Sequence, residues 1–390
     1  MTEPEETIAP LAEPPDPAEA AAEEPLAAVA DGTRASTATP KLRSRRDGAA
    51  IPLDELDRRL LNLMQGSFPI APRPYQHVAS LAEVSEQEAM SRVQRLLQKR
   101  IIRQVTPIFD TRALGYSSML VAAKVDPDHP HRAAGVINEH PGVSHNYLRN
   151  HDFNLWFTIA TEPDSRLGLE GTLDVLAREA GAESVRQLPT LKLFKIRMDL
   201  EMEGDTEALA SAVEAKEPIE LERRPYDERD IAVIRALQGD MPVTPEPYAP
   251  AAAELGMSSQ AFLDHLAKMQ ERGLLRRVAA ILYHRRAGFS ANGMGVWQVP
   301  DEQIAEIGRR MAAVRGISHC YQRPTYEDWP YSVFTMAHGR SKQECDAVLD
   351  AIAEQTGIHE RATLYSSTEF KKIRLLYFTD EFKEWERKHG

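Results

Sequence analysis

The sequence has few cysteines, no long apolar run and no excess of positive charge. Cys320 and Cys345 are its two cysteines, and no CxxC pair occurs. This argues against a disulfide framework, an iron–sulfur cluster or a zinc ribbon, and fits a reducing compartment. No apolar stretch approaches the roughly 20 residues that a membrane-spanning helix needs. The acidic N-terminus differs from a secretory signal and from an Arg-rich transit peptide, so we expect a cytoplasmic protein.

The balance of charge is negative. The chain carries 47 Lys and Arg against 59 Asp and Glu, a net charge of −12, which disfavours a protein whose main partner is a polyanion. Much of the excess of acid over base lies in the first thirty residues, within a segment, residues 1–50, that is rich in Ala, Pro and Glu and that we expect to be a disordered tail. The whole chain is 42% hydrophobic and 27% charged over 390 residues, which is enough for two or three globular domains.

Periodic apolar residues begin at Leu53 and predict a first helix. Two further helices follow, the third with Ser85 as its N-cap and an end near Arg100. The next residues, 101–109, have the pattern of a strand, a turn and a second strand. Three helices and a hairpin predict a winged helix-turn-helix domain over residues 51–115.

The next segment, residues 116–203, alternates strands and helices in the order βαββαβ. The predicted elements are a strand at Ser118–Val125, a helix at Pro130–His140, two strands within Ser144–Thr161, a helix at Leu167–Ala180 and a strand within Ser184–Leu200. This order is that of the ferredoxin-like unit.

The whole pattern restarts after a Glu- and Ala-rich linker, residues 204–222. Gln65-Gly66 recurs as Gln238-Gly239 and Pro74-Tyr75 as Pro247-Tyr248, at an offset of about 173 residues that further matched pairs share. The chain is therefore predicted to be a tandem duplication of class α+β. A second winged helix would span residues 223–288 and a second ferredoxin-like domain residues 289–382.

One strand of the first ferredoxin-like domain carries an unusual set of polar side chains. They are His145, Tyr147, Arg149 and His151, with Asn154 beyond them. Alternation along a strand places the first four on one face. The second module repeats the set as His319, Tyr321 and Arg323 and continues into an aromatic-rich stretch with Tyr326 and Trp329. Such groups are costly to bury without partners, and the aromatic density indicates a flat, partly apolar ligand.

A second set is basic and lies near the end of each module. Lys195 and Arg197 recur as Lys372 and Arg374, and Arg and Lys at repeated positions suit a ligand with several carboxylates. Each of these residues alone has an ordinary structural explanation, such as a satisfied histidine at a sheet rim or an edge strand protected by charge. The recurrence of the whole polar face in both modules favours a binding role.

The module resembles the Lrp/AsnC family. The resemblance lies in Leu53-Asp54-Glu55-Leu56-Asp57, in Ile101-Ile102-Arg103 and in Leu114-Gly115-Tyr116. Two longer strings, 145–158 and 318–336, are similar to the signatures of two subunit types in the siroheme decarboxylase branch, so the chain resembles their fusion. The resemblance implies conversion of siroheme to 12,18-didecarboxysiroheme by loss of two acetate carboxyl groups as CO₂, in heme d1 or alternative heme biosynthesis.

The implied substrate fits the residues. Siroheme is a flat ring edged by carboxylates, and its conjugated ring can hold the electrons left by CO₂, so we expect no added cofactor and count the iron as part of the substrate. The residues expected to be catalytic are His145, His151, His319, Tyr147 and Tyr321. The residues expected to bind substrate are Arg149, Asn154, Arg323, Tyr326, Trp329, Lys195, Arg197, Lys372 and Arg374. Which histidine is an acid, a base or an axial ligand of the siroheme iron stays open.

A DNA-binding regulator is the competing class. Its recognition helix would run from Glu86 to Arg100 and present Arg92, Arg95, Lys99 and Arg100, but acidic residues crowd the start of that helix. We therefore expect siroheme, and neither DNA nor a membrane, as the partner. A non-catalytic heme carrier is a third class. The two halves are expected to pair within the chain, and a further homodimer is left open.

Overall fold

The computed structural model describes residues 53–196, 224–282, 291–339 and 341–390. The predicted tail, the predicted linker and Arg197 lie outside these ranges. Within them, no helix combines the length and the apolar character needed to cross a membrane.

The first module contains two groups of elements. The helices α1 (Glu55–Gly66), α2 (Pro74–Ala82) and α3 (Glu86–Gln98) precede strand β1 (Ile102–Phe109). Then follow β2 (Ser117–Lys124), α4 (Pro130–Asn138), β3 (Val143–Arg149), β4 (Leu155–Thr161), α5 (Gly168–Ala180), β5 (Ser184–Leu188) and β6 (Lys192–Ile196).

The second module repeats this order and adds a final helix. It consists of α6 (Glu228–Leu237), α7 (Ala249–Glu254), α8 (Ser259–Glu271), β7 (Leu275–Leu282), β8 (Ala291–Trp297), α9 (Ile304–Ala313), β9 (Ile317–Gln322), β10 (Val333–Gly339), α10 (Lys342–Thr356), β11 (Arg361–Lys372) and α11 (Asp380–His389). Helix α11 lies mostly beyond the predicted boundary at residue 382. Its Phe382 and Trp385 are buried against two different cores.

The predicted hairpin of residues 101–109 is wrong. Those residues form one continuous strand, β1, which pairs antiparallel with β7 of the other module. The pair is a two-stranded ribbon, so each strand has a free edge that tolerates Pro107, a residue without an N–H to donate. Because β1 and β7 pair with each other, the two winged-helix segments share one hydrophobic core.

A buried carboxylate ties each winged-helix segment together. Asp57 of α1 accepts hydrogen bonds from Arg92 and Arg95 of α3, and its counterpart Asp230 of α6 accepts them from Arg272 at 2.8 Å and from His265 of α8. Burial alone would raise the pKa of Asp230, but the hydrogen bonds from Arg272 outweigh it and hold that pKa below its usual range. The aspartates therefore connect the first and third helices of each segment.

Asp230→Ala is expected to destabilise the protein by about 3 kcal/mol, because it strands the charge of Arg272 and removes the α6 capping box. Urea unfolding followed by circular dichroism measures the loss. Asp240→Ala, an exposed site close by, is the matched control and should change stability by less than about 0.5 kcal/mol. Equal effects of the two substitutions would contradict the structural role of Asp230.

Apart from β1 and β7, the described strands of both modules join in one nine-stranded sheet, ordered β5-β2-β4-β3-β11-β8-β10-β9-β6. Four strands of each module keep the ferredoxin-like order, which confirms the predicted fold class, and β6 of the first module adds a ninth strand beside β9. The long strand β11 joins the two sets, because its first half pairs with β8 and its second half with β3. Strands β5 and β6 lie at opposite ends of the sheet yet are separated by three residues, 189–191. The sheet therefore curls until its ends meet.

Both faces of this curled sheet are covered. Helices α4 and α5 pack on the outer face of one half, and α9 and α10 on that of the other. The inner faces meet in a separate apolar cluster that takes Trp156 and Leu188 from the first module and Phe334 and Leu364 from the second. The two halves of the curled sheet face each other, and we call the region between their inner faces the inter-sheet region. It is where the predicted polar face lies.

Candidate active site

A β-bulge shapes each half of the inter-sheet region. In β3, Ser144 is the extra residue between Val143 and His145, which pair with adjacent residues of β4. In β9, Ser318 is the extra residue between Ile317 and His319, opposite adjacent residues of β10. Bulges redirect side chains and are frequent beside active sites. Here each bulge places a Ser-His pair at the start of the polar face.

In the first half, β3 aligns His145, Tyr147 and Arg149 as predicted. The rings of His145 and Tyr147 have centroids 6.0 Å apart, and the Arg149 guanidinium lies 5.9 Å from the Tyr147 centroid and 5.6 Å from that of Trp156. Lys372 of β11 is the register partner of His145. The structure thus brings an imidazole, a phenol and two cations together on neighbouring strands.

The second half repeats this arrangement with the partners exchanged. His319 and Tyr321 stack with centroids 6.0 Å apart, and the Arg323 guanidinium lies 5.1 Å from the Tyr321 centroid and 5.4 Å from that of Phe334. Strand β6, from the first module, pairs with β9, but it places Lys195 opposite Cys320 and Ile196 opposite His319, so Lys195 does not occupy the position that Lys372 has in the first half. Each half-site is therefore completed by a strand of the other module.

Arg149 and Arg323 have no carboxylate partner among the described residues. Arg149 donates to the Leu364 carbonyl at 3.3 Å, and Arg323 donates to the equivalent Leu188 carbonyl. Within the described part of the chain neither forms an ion pair, and the Nε of each is buried without a hydrogen-bond partner. Burial lowers the pKa of both guanidinium groups to about 10. Such groups are suited to receive an anionic ligand between two aromatic rings.

His145 is neutral at physiological pH. It is 7% exposed, and burial, followed by the charges of Lys372 and Arg103, lowers its pKa to about 3. Arg103 belongs to β1, so the winged-helix segment contributes a charge to the first half-site. A neutral imidazole can accept a proton or coordinate iron.

Two loops close the inter-sheet region at the ends of β3 and β9. Trp329 is fully buried. Its ring centroid lies 5.3 Å from that of Trp156 and 5.2 Å from that of His151. The indole Nε1 of Trp329 is buried without a hydrogen-bond partner among the described residues. The loops of the two modules therefore interlock around Trp329.

The predicted position of His151 on the β3 face is wrong. Strand β3 ends at Arg149, because the chain turns there and the Arg149 N–H donates to the Asn154 carbonyl at 2.8 Å. His151 lies in the resulting loop, where its Nδ1 accepts from the Phe153 N–H at 3.0 Å. It borders the inter-sheet region through its contact with Trp329.

Other predicted substrate ligands have structural partners. Both amide atoms of Asn154 bond the backbone of Val125, at 3.0 and 2.9 Å, so Asn154 holds the end of β2. Arg374 donates to Thr106 and to the Pro107 carbonyl of β1. The Tyr326 hydroxyl donates to the Gln187 carbonyl at 2.6 Å. The geometry gives Asn154 and Arg374 structural roles, while Tyr326 is partly buried and packs against the inner apolar cluster.

Two of the four basic residues of the candidate recognition helix, Arg92 and Arg95, are neutralised within the protein. Arg92 pairs with Asp54, Asp57 and Glu88, and Arg95 pairs with Asp57. Arginines held in this way do not present the free basic face that a DNA-binding helix requires.

Comparison with known proteins gives two family models that each match twice. The AsnC-like ligand binding domain matches residues 113–195 and 286–371, and the siroheme decarboxylase NirDL-like HTH domain matches residues 57–103 and 230–276. A siroheme decarboxylase of Hydrogenobacter thermophilus is 37% identical over 85% of this chain and 97% of its own. A crystal structure of siroheme decarboxylase NirDL in co-complex with an iron-uroporphyrin III analogue is 32% identical, with a TM-score of 0.70 over 86% of this chain and 98% of that one.

Shorter relatives match single modules. A siroheme decarboxylase beta subunit of Methanosarcina barkeri is 43% identical over 37% of this chain and 96% of its own. An alpha subunit from Desulfovibrio desulfuricans is 38% identical over 45% of this chain and 99% of its own. Fold, half-sites and matches together define a tandem fusion of two AsnC-like modules, each with an HTH domain. The chain belongs to the siroheme decarboxylase family.

Proposed function

We propose that this protein is an enzyme that removes the two acetate carboxyl groups at C12 and C18 of siroheme as CO₂. The observation that carries the proposal is the pair of arginines, Arg149 and Arg323, which lie between aromatic rings with no carboxylate of the described chain to neutralise them. A disc-shaped ligand edged by carboxylates supplies both the charge and the flat surface that these positions lack.

The chemistry needs few protein groups. When the bond between the acetate methylene and its carboxylate breaks, the electron pair passes into the conjugated ring, and one proton completes the resulting methyl group. We propose that no added cofactor is required and that the iron belongs to the substrate. His319 is the proposed proton donor. General acids of this type contribute about 10²–10⁴-fold to rate. His145, neutral and buried, is the proposed ligand of the iron.

The two half-sites act as one unit in this proposal, because strands β6 and β11 complete each half-site with the other module. The resemblance of single modules to separate alpha and beta subunits supports an intramolecular pairing that replaces a heterodimer. Lys195 and Lys372, which recur at equivalent positions of the sequence repeat, are proposed to meet peripheral carboxylates.

The direct test is anaerobic incubation of purified protein with siroheme, followed by mass spectrometry of the tetrapyrrole. We expect a product lighter by two CO₂. Siroheme that binds without changing mass would favour a heme carrier. Binding of duplex DNA with a steep salt dependence, in the absence of turnover, would favour a regulator.

A further inference from the structure

A chain of hydrogen bonds leads from the edge of the second half-site to His319. Its Nδ1 lies 2.6 Å from the Ser318 hydroxyl, which lies 2.5 Å from Nε2 of His338. Nδ1 of His338 in turn lies 2.8 Å from the Asn292 side-chain oxygen. Asn292 is exposed and His338 and His319 are half-buried, so the chain of contacts runs inward from solvent. The β9 bulge makes it, because it turns the otherwise buried Ser318 toward both rings.

The bonding rules of these groups define two states. The Asn292 oxygen only accepts, so Nδ1 of His338 carries a proton. With His338 neutral, its Nε2 accepts from the Ser318 hydroxyl, whose oxygen accepts from Nδ1 of His319. With a second proton on His338, Nε2 donates to Ser318, and Ser318 donates to Nδ1 of His319. The proton of His319 then resides on Nε2, the atom on the far side of the ring.

We propose that His338 and Ser318 form a proton relay that recharges His319 after each decarboxylation; this rests on the proposed function. In each cycle the C–C bond to the carboxylate breaks, CO₂ leaves, and Nε2 of His319 gives its proton to the methylene carbon, forming a methyl group. As that proton leaves, Nδ1 of His319 takes the Ser318 hydroxyl proton and Ser318 takes one from Nε2 of His338. His338 then takes a proton from water, and His319 exchanges its Nδ1 proton for one on Nε2 through solvent, which restores the starting state. One proton from solvent is consumed for each CO₂ released.

The first half-site is built differently at the same positions. The Ser144 hydroxyl contacts Thr158 at 2.8 Å, and its contact with His145 is long, at 3.4 Å. The position equivalent to His338 is Thr161, which is buried. A histidine connected to the solvent edge therefore marks the second half-site, and this assigns proton delivery to His319.

The test compares steady-state and single-turnover kinetics of wild-type protein, His338→Ala and Thr161→Ala. We expect His338→Ala to lower kcat about 10–100-fold with KM nearly unchanged, while the first loss of CO₂ in a single turnover keeps the wild-type rate. Imidazole in the buffer should restore much of the steady-state rate. Thr161→Ala should leave kcat within about twofold.

Ser318→Ala, which removes a single hydroxyl, should show the same loss of steady-state rate and serves if His338→Ala does not fold. The relay is refuted if both variants turn over at the wild-type rate, or if they lose the first and later steps equally and imidazole has no effect. If the wild-type protein itself releases no CO₂, the proposed function fails instead, so the two failures are distinguishable.

Discussion

Replacing Arg323 by methionine is expected to make the protein more stable and, at the same time, to weaken siroheme binding at least tenfold. Arg323 is 6% exposed, its Nε has no hydrogen-bond partner in the described part of the chain, and burial lowers the pKa of its guanidinium to about 10. A buried charge held in this way costs free energy that an apolar side chain of similar length avoids, so we expect a gain of about 1–3 kcal/mol. Losing one charge-assisted contact to a carboxylate costs about 1.5–3 kcal/mol of binding, or 10–100-fold in Kd.

Urea unfolding and titration of the siroheme absorption spectrum measure the two effects. Arg149→Met should behave in the same way, with a smaller gain in stability because Arg149 is less buried. Arg374→Met is the matched control: that arginine is engaged by Thr106 and Pro107, so its loss should destabilise the protein. A loss of stability in Arg323→Met with unchanged siroheme affinity would show that Arg323 is purely structural.

His319→Ala is expected to lower kcat by about 10²–10⁴-fold with little change in KM, because it removes the proposed general acid without removing a carboxylate contact. His145→Ala should also slow turnover, and it should change the absorption spectrum of bound siroheme, because His145 is the proposed iron ligand. Stopped-flow spectroscopy under anaerobic conditions follows both properties. Unchanged rates in both variants would refute the assignment of either histidine to the chemistry.

Much of the fold follows from local sequence patterns. The periodic spacing of apolar residues, the N-cap at Ser85 and the recurring offset between modules predict both winged helices and both ferredoxin-like units. The wing was not predictable, because the partner of β1 is β7, about 170 residues away, and local pattern does not distinguish a hairpin from a long strand paired elsewhere. The same limit applies to β11, whose two halves pair with strands of different modules.

In the candidate site, too, local sequence patterns predict some features, while others depend on how the chain turns and pairs. Alternation along β3 and β9 places His145, Tyr147 and Arg149 on one face and repeats them as His319, Tyr321 and Arg323. The positions of His151 and Asn154 were beyond this argument, because they depend on where β3 ends and how the chain turns. The connection of His338 to His319 depends on a one-residue bulge, for which the sequence gives no clear signal.

The most direct test of the inter-sheet site is a crystal structure of the protein grown anaerobically with siroheme. We predict that the macrocycle lies between the inner faces of the sheet, with carboxylates bonded to Arg149 or Arg323 and a reacting acetate within reach of His319. A macrocycle bound outside this region, with Arg149 and Arg323 still lacking an anionic partner, would contradict the account.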